Sequence, residues 1–173
     1  MSLSSASPTI NALGIFGRLD PPQQKYFDSL EDKFSSFPQG DESIGIFNHL
    51  SLVIEKNVFV GKLQKYIDLL KELKSYLPFK INVSGVIIKD EKHLALSFDI
   101  KQTEKIREIA SRLIPEGVVT TYYTKVVWHV PKEKQAEVIT ILKEVKIMTF
   151  YDFVLCANRE DEKSIIYSSN RYK

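Results

Sequence analysis

The stretch Phe47-Asn48-His49-Leu50-Ser51-Leu52 decides how this sequence is interpreted. Apolar and polar residues alternate along it, which predicts a strand within the range 44–54. Residues two apart on a strand point to the same side, so His49 and Ser51 are expected to share a face that looks away from the core. An imidazole beside a hydroxyl offers a proton-transfer group near neutral pH and a donor for an anionic oxygen. The stretch therefore predicts a site for an anionic ligand.

A second histidine lies in a similar setting 80 residues later, in Lys125-Val126-Val127-Trp128-His129-Val130-Pro131. The range 118–130 is rich in Val, Thr, Tyr and Trp, which predicts another strand. Alternation along this strand would turn Val126, Trp128 and Val130 to the core and His129 away from it. We therefore expect His129 and His49 to occupy corresponding positions. The third histidine, His93, is predicted to be an ordinary residue at the start of a strand.

The predicted elements follow the order β-α-β-α-β-β-α-β-α-β-β, which is typical of α+β proteins with antiparallel sheets covered by helices. The two halves of this order resemble each other, since each has a strand, a helix, a second strand and then paired strands. Asp20 is predicted to cap the first helix, and a strand pair is predicted from Phe79 to Ile100. The last two strands are predicted at Met148–Ala157 and Ser164–Tyr167.

Length and composition limit the possible domain organisation and location of the chain. With 173 residues and 43% hydrophobic content, the chain is long enough to bury a core without a disulfide or a structural metal. We expect residues 1–9 to be a disordered tail and residues 10–173 to form a single two-lobed domain. No apolar run is long enough to span a membrane, and the cytoplasm is the expected location. A monomer is the default oligomeric state. A lone Cys156 is expected to be a buried apolar residue.

In these features the chain resembles the two-histidine (2H) phosphoesterase superfamily, which includes 2′-5′ RNA ligase-like proteins and cyclic phosphodiesterases. That family carries two His-x-Thr/Ser motifs about eighty residues apart, on strands of two pseudo-symmetric lobes. His49-Leu50-Ser51 matches the first motif, whereas His129-Val130-Pro131 matches the second only at its histidine. The resemblance covers nearly the whole chain. It implies an α+β fold with two pseudo-symmetric lobes, mostly antiparallel sheets, helices packed outside and a central cleft.

The resemblance also implies a reaction. The expected activity is metal-independent phosphoesterase action, without a cofactor, on 2′,3′-cyclic or 2′-5′-linked phosphodiesters of nucleotides or RNA ends. His49 and His129 would be the acid–base pair, in an unassigned order, and Ser51 would bind the phosphate. Pro131 has no hydroxyl and no N–H, so the second motif is degenerate: either a neighbouring residue substitutes for the missing donor or the second half-site is degraded. The candidates are Thr124 and three possible substrate contacts, Tyr122, Tyr123 and Lys125.

Three other functions remain open on the sequence. The first is a non-catalytic nucleotide- or RNA-binding module, in which Tyr122 and Tyr123 could stack on bases. The second is a metal-dependent hydrolase that uses both histidines, although the sequence offers no obvious third ligand. The third is an interaction protein that has reused the fold. The net charge of +2 permits a phosphate-bearing ligand without requiring one.

Overall fold

The structure, a computed structural model, describes residues 9–36, 49–117, 122–159 and 162–168, with the backbone alone for 49, 158–159 and 162–168. Twelve α-helices and β-strands lie in these ranges and alternate largely as predicted. In chain order they are β1 (Thr9–Leu19), α1 (Pro21–Phe34), β2 (His49–Phe59), α2 (Leu63–Leu73), β3 (Phe79–Asn82), β4 (Gly85–Lys89), β5 (His93–Ser97), α3 (Glu104–Leu113), β6 (Tyr123–Val127), α4 (Lys132–Leu142), β7 (Ile147–Arg159) and β8 (Glu162–Ser168).

The strands form two sheets in which every neighbouring pair is antiparallel. In the large sheet the order is β2-β1-β7-β3, and β8 pairs with β7 beyond the end of β3. In the small sheet the order is β4-β5-β6. β2 and β6 each lie at one edge of their sheet, and their Cα atoms approach within 8 Å of one another. The α+β class and the antiparallel sheets predicted from the sequence are therefore confirmed.

The helices are exchanged between the two halves of the chain. α1 connects β1 and β2 of the large sheet, yet it packs against β6 and α4. α3 connects β5 and β6 of the small sheet, yet it packs against β2 and α2. α2 also lies on β7, and α4 lies on β5. Each sheet thus has one face covered by two helices, of which one belongs to the other half.

One connected hydrophobic core fills the space between the sheets and these helices. Phe27 of α1, Leu69 of α2 and Ile106 of α3 are almost completely buried in it. Leu50 and Leu52 of β2 belong to the same core, as do Leu94 and Leu96 of β5. Alternation along both strands therefore turns the intervening residues to the other face of each sheet.

Three local predictions need correction. The strand pair predicted from Phe79 to Ile100 is in fact three strands: β3 joins the large sheet, whereas β4 and β5 belong to the small one, so the chain changes sheets between Asn82 and Gly85. Asp20 lies at the N-terminal end of α1, but its side chain makes no capping hydrogen bond. β6 ends at Val127 rather than Val130. Of the tail predicted over residues 1–9, Thr9 begins β1 and residues 1–8 lie outside the described residues. The start of the first-motif strand at 44–48 and the range 118–121 also lie outside them.

Candidate active site

The face of the large sheet that is turned away from the helices carries a row of polar residues. Arg18 of β1 pairs with Asp152 of β7 on one side and with the backbone position of His49 on the other. Residues directly opposite each other in an antiparallel sheet share a face, so these three positions form a line across three strands. The next line pairs Phe16 with Ser51, which is partly exposed.

Arg18 and Asp152 form an ion pair on this face. The Arg18 Nη2 atom lies 3.0 Å from Asp152 Oδ2 and donates a hydrogen bond to it. The Asp152 side chain is 0% exposed, whereas that of Arg18 is 28% exposed. The Arg18 guanidinium also lies 5.3 Å from the centre of the Tyr151 ring. A carboxylate that is buried to this degree fixes its partner in place, because leaving it unpaired would be costly.

A separate apolar cluster borders the ion pair. It consists of Phe16, Val154 and Cys156, which do not belong to the main core. Cys156 is buried, as predicted. The helix-free face of the large sheet is therefore polar at the line of residues through Arg18, where β2 begins. It is apolar at the next line, which runs through Phe16.

β2 is held in place at its middle by α2 and the segment before it. The Tyr66 hydroxyl donates to Glu55 Oε2 over 2.7 Å, and Lys62 Nζ donates to Glu55 Oε1 over 2.7 Å. Burial, followed by the hydrogen bond to Glu55, raises the pKa of Tyr66, which keeps the phenol protonated as a donor. These bonds fix the strand that carries the His49-Leu50-Ser51 stretch.

The helix-free face of the small sheet is rich in aromatic rings and cations. Tyr123 and Lys125 lie on it, and both are partly exposed. The Lys89 ammonium is 4.6 Å from the centre of the Tyr123 ring, and that of Lys125 is 4.9 Å from the centre of the Trp128 ring. Tyr122 is 44% exposed and packs edge-on against Tyr123. Rings of this kind, flanked by cations, suit the stacking of a nucleobase.

Lys125 is paired with a carboxylate at the surface. Its Nζ atom lies 2.8 Å from Asp90 Oδ2, and the hydrogen bond from Lys125 lowers the pKa of Asp90. The Asp90 side chain is 61% exposed, so this pair is easily exchanged for another anion.

Strand register identifies which residues of the second half correspond to His49 and Ser51. In the first half, β1 pairs Arg18 with His49 and Phe16 with Ser51, and a bulge follows at Leu52. In the second half, β5 pairs Ser97 with Tyr123 and Ala95 with Lys125, and a bulge follows at Val126. The two bulges fall at the same place in the two halves. The counterpart of His49-Leu50-Ser51 is therefore Tyr123-Thr124-Lys125.

The placement predicted for His129 is wrong. His129 follows the end of β6 by two residues, and its φ of 50° is left-handed. Counted from the bulge in each half, it corresponds to Glu55 of β2, not to His49. Its carbonyl oxygen accepts hydrogen bonds from the Ser36 N–H at 2.9 Å and the Ser36 hydroxyl at 3.0 Å. The structure thus joins His129 to the end of α1.

His93, predicted to be an ordinary residue, is the histidine that His129 contacts. The two ring centres are 4.8 Å apart, and the Trp128 ring lies 4.7 Å from His93. The His129 N–H donates to His93 Nδ1 over 3.1 Å, so His93 is neutral with its proton on Nε2. Burial, and then the charge of Lys125, lower the pKa of His93 to about 4. Burial also lowers the pKa of His129.

A signal for the second half-site exists in the sequence, although it is weak. In each half, two adjacent apolar residues follow the site tripeptide: Leu52-Val53 after Ser51 and Val126-Val127 after Lys125. All four of these apolar residues are buried, because the extra residue of a bulge allows two consecutive side chains to face the core. A histidine search overlooks this signal because Tyr123-Thr124-Lys125 contains no histidine.

Among the residues that the structure describes, no group of three or more His, Cys, Asp or Glu side chains could hold a metal ion. Within the same residues, no helix has the length and apolar character needed to cross a membrane.

Comparison with known proteins gives matches by structure. By sequence, no family model and no curated protein matches the chain. The crystal structure of a phosphoesterase shares 12% identity with a TM-score of 0.54, over 91% of this chain and 96% of that one. E. coli LigT in complex with 3′-AMP shares 11% identity with a TM-score of 0.55, over 93% of this chain and 97% of LigT. The complex of LigT with NADP+ shares 11% identity with a TM-score of 0.54 over the same shares.

These matches cover 91% and 93% of this chain, so the likeness concerns the whole arrangement rather than one half. The resemblance to two-histidine phosphoesterases is therefore confirmed at the level of the fold: this chain has the two-lobed fold of LigT.

Proposed function

We propose that this protein is a phosphoesterase that acts on phosphodiesters of nucleotides or RNA ends, in a cleft bounded by the helix-free faces of its two sheets. The observation that carries the proposal is the register at the start of β2. His49 begins the strand opposite Arg18, and Ser51 follows opposite Phe16 on the uncovered face. A histidine, a hydroxyl and a guanidinium in neighbouring positions suit proton transfer next to a bound phosphate.

In this proposal His49 transfers the proton and Ser51 donates a hydrogen bond to a phosphoryl oxygen. From the other sheet, Lys125 stabilises the charge that develops on the phosphoryl group, and the Tyr123 phenol is the second group able to donate a proton. The support for these two residues is that they occupy the register positions of Ser51 and His49 in the second half. A cation placed at a developing charge is worth more than a hydroxyl, so Lys125 compensates for the missing histidine-hydroxyl motif.

His129 remains the alternative second acid–base group. Its lowered pKa makes it mostly neutral at pH 7, which suits a base better than an acid. Its place after β6 and its contact with His93 argue for a role in holding the end of the strand. The variants His129→Ala and Lys125→Met distinguish the two assignments, because only the residue that meets the substrate affects turnover strongly.

The nucleotide part of the substrate is proposed from the small sheet. Tyr122 and Tyr123 offer aromatic surface beside Lys89 and Lys125, and stacking on such rings stabilises a base by about 1–3 kcal/mol. The LigT crystals with 3′-AMP and NADP+ show that the same fold accepts nucleotides in that protein.

The test is hydrolysis of a panel of 2′,3′-cyclic nucleotides and 2′-5′-linked oligonucleotides, in the presence of a chelator. Wild type and His49→Ala are compared, and Lys65→Ala on the exposed side of α2 is the control. We expect turnover that survives the chelator, falls by about 10²-fold or more in His49→Ala and is unchanged in Lys65→Ala. Equal turnover in wild type and His49→Ala would refute the role of His49.

A second candidate function is nucleotide binding without cleavage. The observation in its favour is that the second half holds Tyr123 where the first half holds His49. Binding of the same nucleotides in the absence of any turnover, with weaker binding after Tyr123→Ala, would favour this function over catalysis.

A further inference from the structure

We propose that Arg18 is a phosphate-binding residue, held ready by Asp152, and that it gives the first half-site its positive charge. The inference rests on the proposed function and deepens it by naming a ligand contact that the histidine–serine motif does not include. The ligand class is a phosphate ester, bound through its non-bridging oxygens. The argument begins with the hydrogen-bonding state of the guanidinium.

The Arg18 guanidinium is only partly satisfied within the protein. Its Nη2 atom donates to Asp152 Oδ2, but its Nε atom is buried and has no acceptor among the described residues. A guanidinium has five N–H donors in a rigid plane, and a carboxylate that binds one edge leaves the other edge available. Buried donors of this kind are usually paired, so one without a partner indicates a missing acceptor.

The location of Arg18 makes phosphate the fitting acceptor. Arg18 lies on the helix-free face, in register with His49 on β2, and its side chain is 28% exposed. A ligand that reaches His49 and Ser51 therefore comes to the same face as the exposed part of the Arg18 side chain. Arginine binds phosphate in a planar, two-point fashion that lysine cannot reproduce.

The second half has no equivalent of this residue on the neighbouring strand. The register counterpart of Arg18 is Ser97, whose hydroxyl donates to the Gly85 carbonyl oxygen at 3.3 Å. The cation of that half is Lys125, on β6 instead of β5. Each half-site thus contributes one cation from a different strand, and each cation rests against a carboxylate: Arg18 on Asp152 and Lys125 on Asp90.

The buried Asp152 explains why Arg18 can stay in place without ligand. The Asp152 side chain has no exposed surface and accepts the hydrogen bond from Nη2, so it fixes the orientation of the guanidinium and leaves the exposed part of the Arg18 side chain to the ligand. In this pair Asp152 is a positioning residue, and Arg18 is the residue that meets the phosphate.

The experiment measures the Arg18 Nε–Hε resonance directly. In ¹⁵N-labelled protein this signal is assigned by its loss in Arg18→Lys, and inorganic phosphate and then 3′-AMP are titrated in. We expect the Arg18 resonance to move with saturation, because a phosphate bound to the guanidinium changes the electrostatic surroundings of its Nε–H. The matched control is the side-chain resonance of Arg112, an exposed residue of α3 paired with Glu72, which is expected to stay still.

Calorimetric titration of the variants gives the second readout. We expect Arg18→Gln to weaken 3′-AMP binding about ten- to a hundredfold and Arg18→Lys to weaken it less, with Arg112→Gln equal to wild type. Melting temperatures identify any variant that fails to fold, and for such a variant the resonance titration of the wild type decides. An Arg18 resonance that does not move in saturating ligand would overturn the inference.

The outcomes separate this inference from the proposed function. Phosphate-dependent movement of the Arg18 signal without turnover supports the binding residue and refutes catalysis. Turnover that depends on His49 but is equal in wild type and Arg18→Gln refutes the role of Arg18 and leaves the phosphoesterase proposal standing.

Discussion

His93 shows how the protonation of one side chain affects the stability of the fold. It is 5% exposed, and its Nδ1 atom accepts the N–H of His129, a bond that a proton on Nδ1 would abolish. The unfolded chain binds a proton to this ring near pH 6.5, whereas the folded chain does so only near pH 4. Folding therefore excludes a proton throughout that range.

The first prediction concerns this proton. The stabilisation is fully present above pH 6.5 and is lost as the pH falls towards 4, because the unfolded state then binds more protons than the folded one. We expect a loss of at most about 3 kcal/mol over this window, measured as the free energy of unfolding in urea at several pH values. His93→Gln retains an acceptor but has no such titration, so its slope should be shallower. An identical pH dependence in both proteins would contradict the prediction.

The backbone of His129 gives the second prediction. A φ of 50° is tolerated by Asn but strained for a β-branched residue. Both His129→Asn and His129→Val remove the ring contact with His93, so their difference isolates the backbone. We expect His129→Val to be less stable than His129→Asn by about 1–2 kcal/mol in chemical denaturation. Equal stability would mean that this segment relaxes.

At the scale of the elements, a glutamine side chain extends a strand ladder beyond the end of β1. Gln23 of α1 donates from Nε2 to the Ile147 carbonyl oxygen over 2.7 Å and accepts the Thr149 N–H at Oε1 over 2.7 Å. Gln102 does the same for Asn82 on the edge strand β3, accepting its N–H at 2.8 Å and donating to its carbonyl oxygen at 2.9 Å. The ends of the large sheet are thus closed by side-chain amides.

The third prediction tests this closure. Gln23→Ala should lower the free energy of unfolding by about 1–2 kcal/mol, since two hydrogen bonds are lost. Gln23→Glu should cost more at neutral pH, because a carboxylate cannot donate to the Ile147 carbonyl oxygen. Thermal or urea unfolding measures both variants. Gln64→Ala, which removes an exposed bond to Asp68 within α2, should change stability by no more than about 0.5 kcal/mol.

The sequence predicted most of the helices and strands, but it did not predict that β3 and β4 belong to different sheets. Hydrophobic periodicity located α2 and α3 because each has one buried face. The change of sheet between β3 and β4 leaves no periodic trace, since both are short strands of similar composition. The first half-site was recognisable from His49 and Ser51. Its counterpart was not, because Tyr123 and Lys125 are common strand residues and the bulge that aligns them depends on pairing with β5.

At the scale of the whole molecule, the exchanged helices bind the two halves into one cooperative unit. α1 covers β6 and α3 covers β2, so neither half can bury its sheet without a helix from the other. Loss of either half would expose the shared core, in which Phe27 and Ile106 are both almost fully buried.

The fourth prediction uses two natural probes. Trp128 is the only tryptophan and follows the small sheet, while Cys156 is the only cysteine and lies in the large one. We expect tryptophan fluorescence and thiol reactivity to report the same urea midpoint, as in a two-state transition. Two separate midpoints would show that the lobes unfold independently.

The exchange of α1 and α3 also bears on how such a chain could be assembled. A half-length chain with one strand pair and its connecting helix would have to place that helix on a second copy, since its own sheet takes the helix of the other half. The present arrangement is equivalent to a dimer with swapped helices whose two copies have been fused end to end. The two halves differ at matching positions: one has a tyrosine and a lysine, and the other has a histidine and a serine. Only the fused form allows this difference, because the copies of a homodimer must carry identical residues.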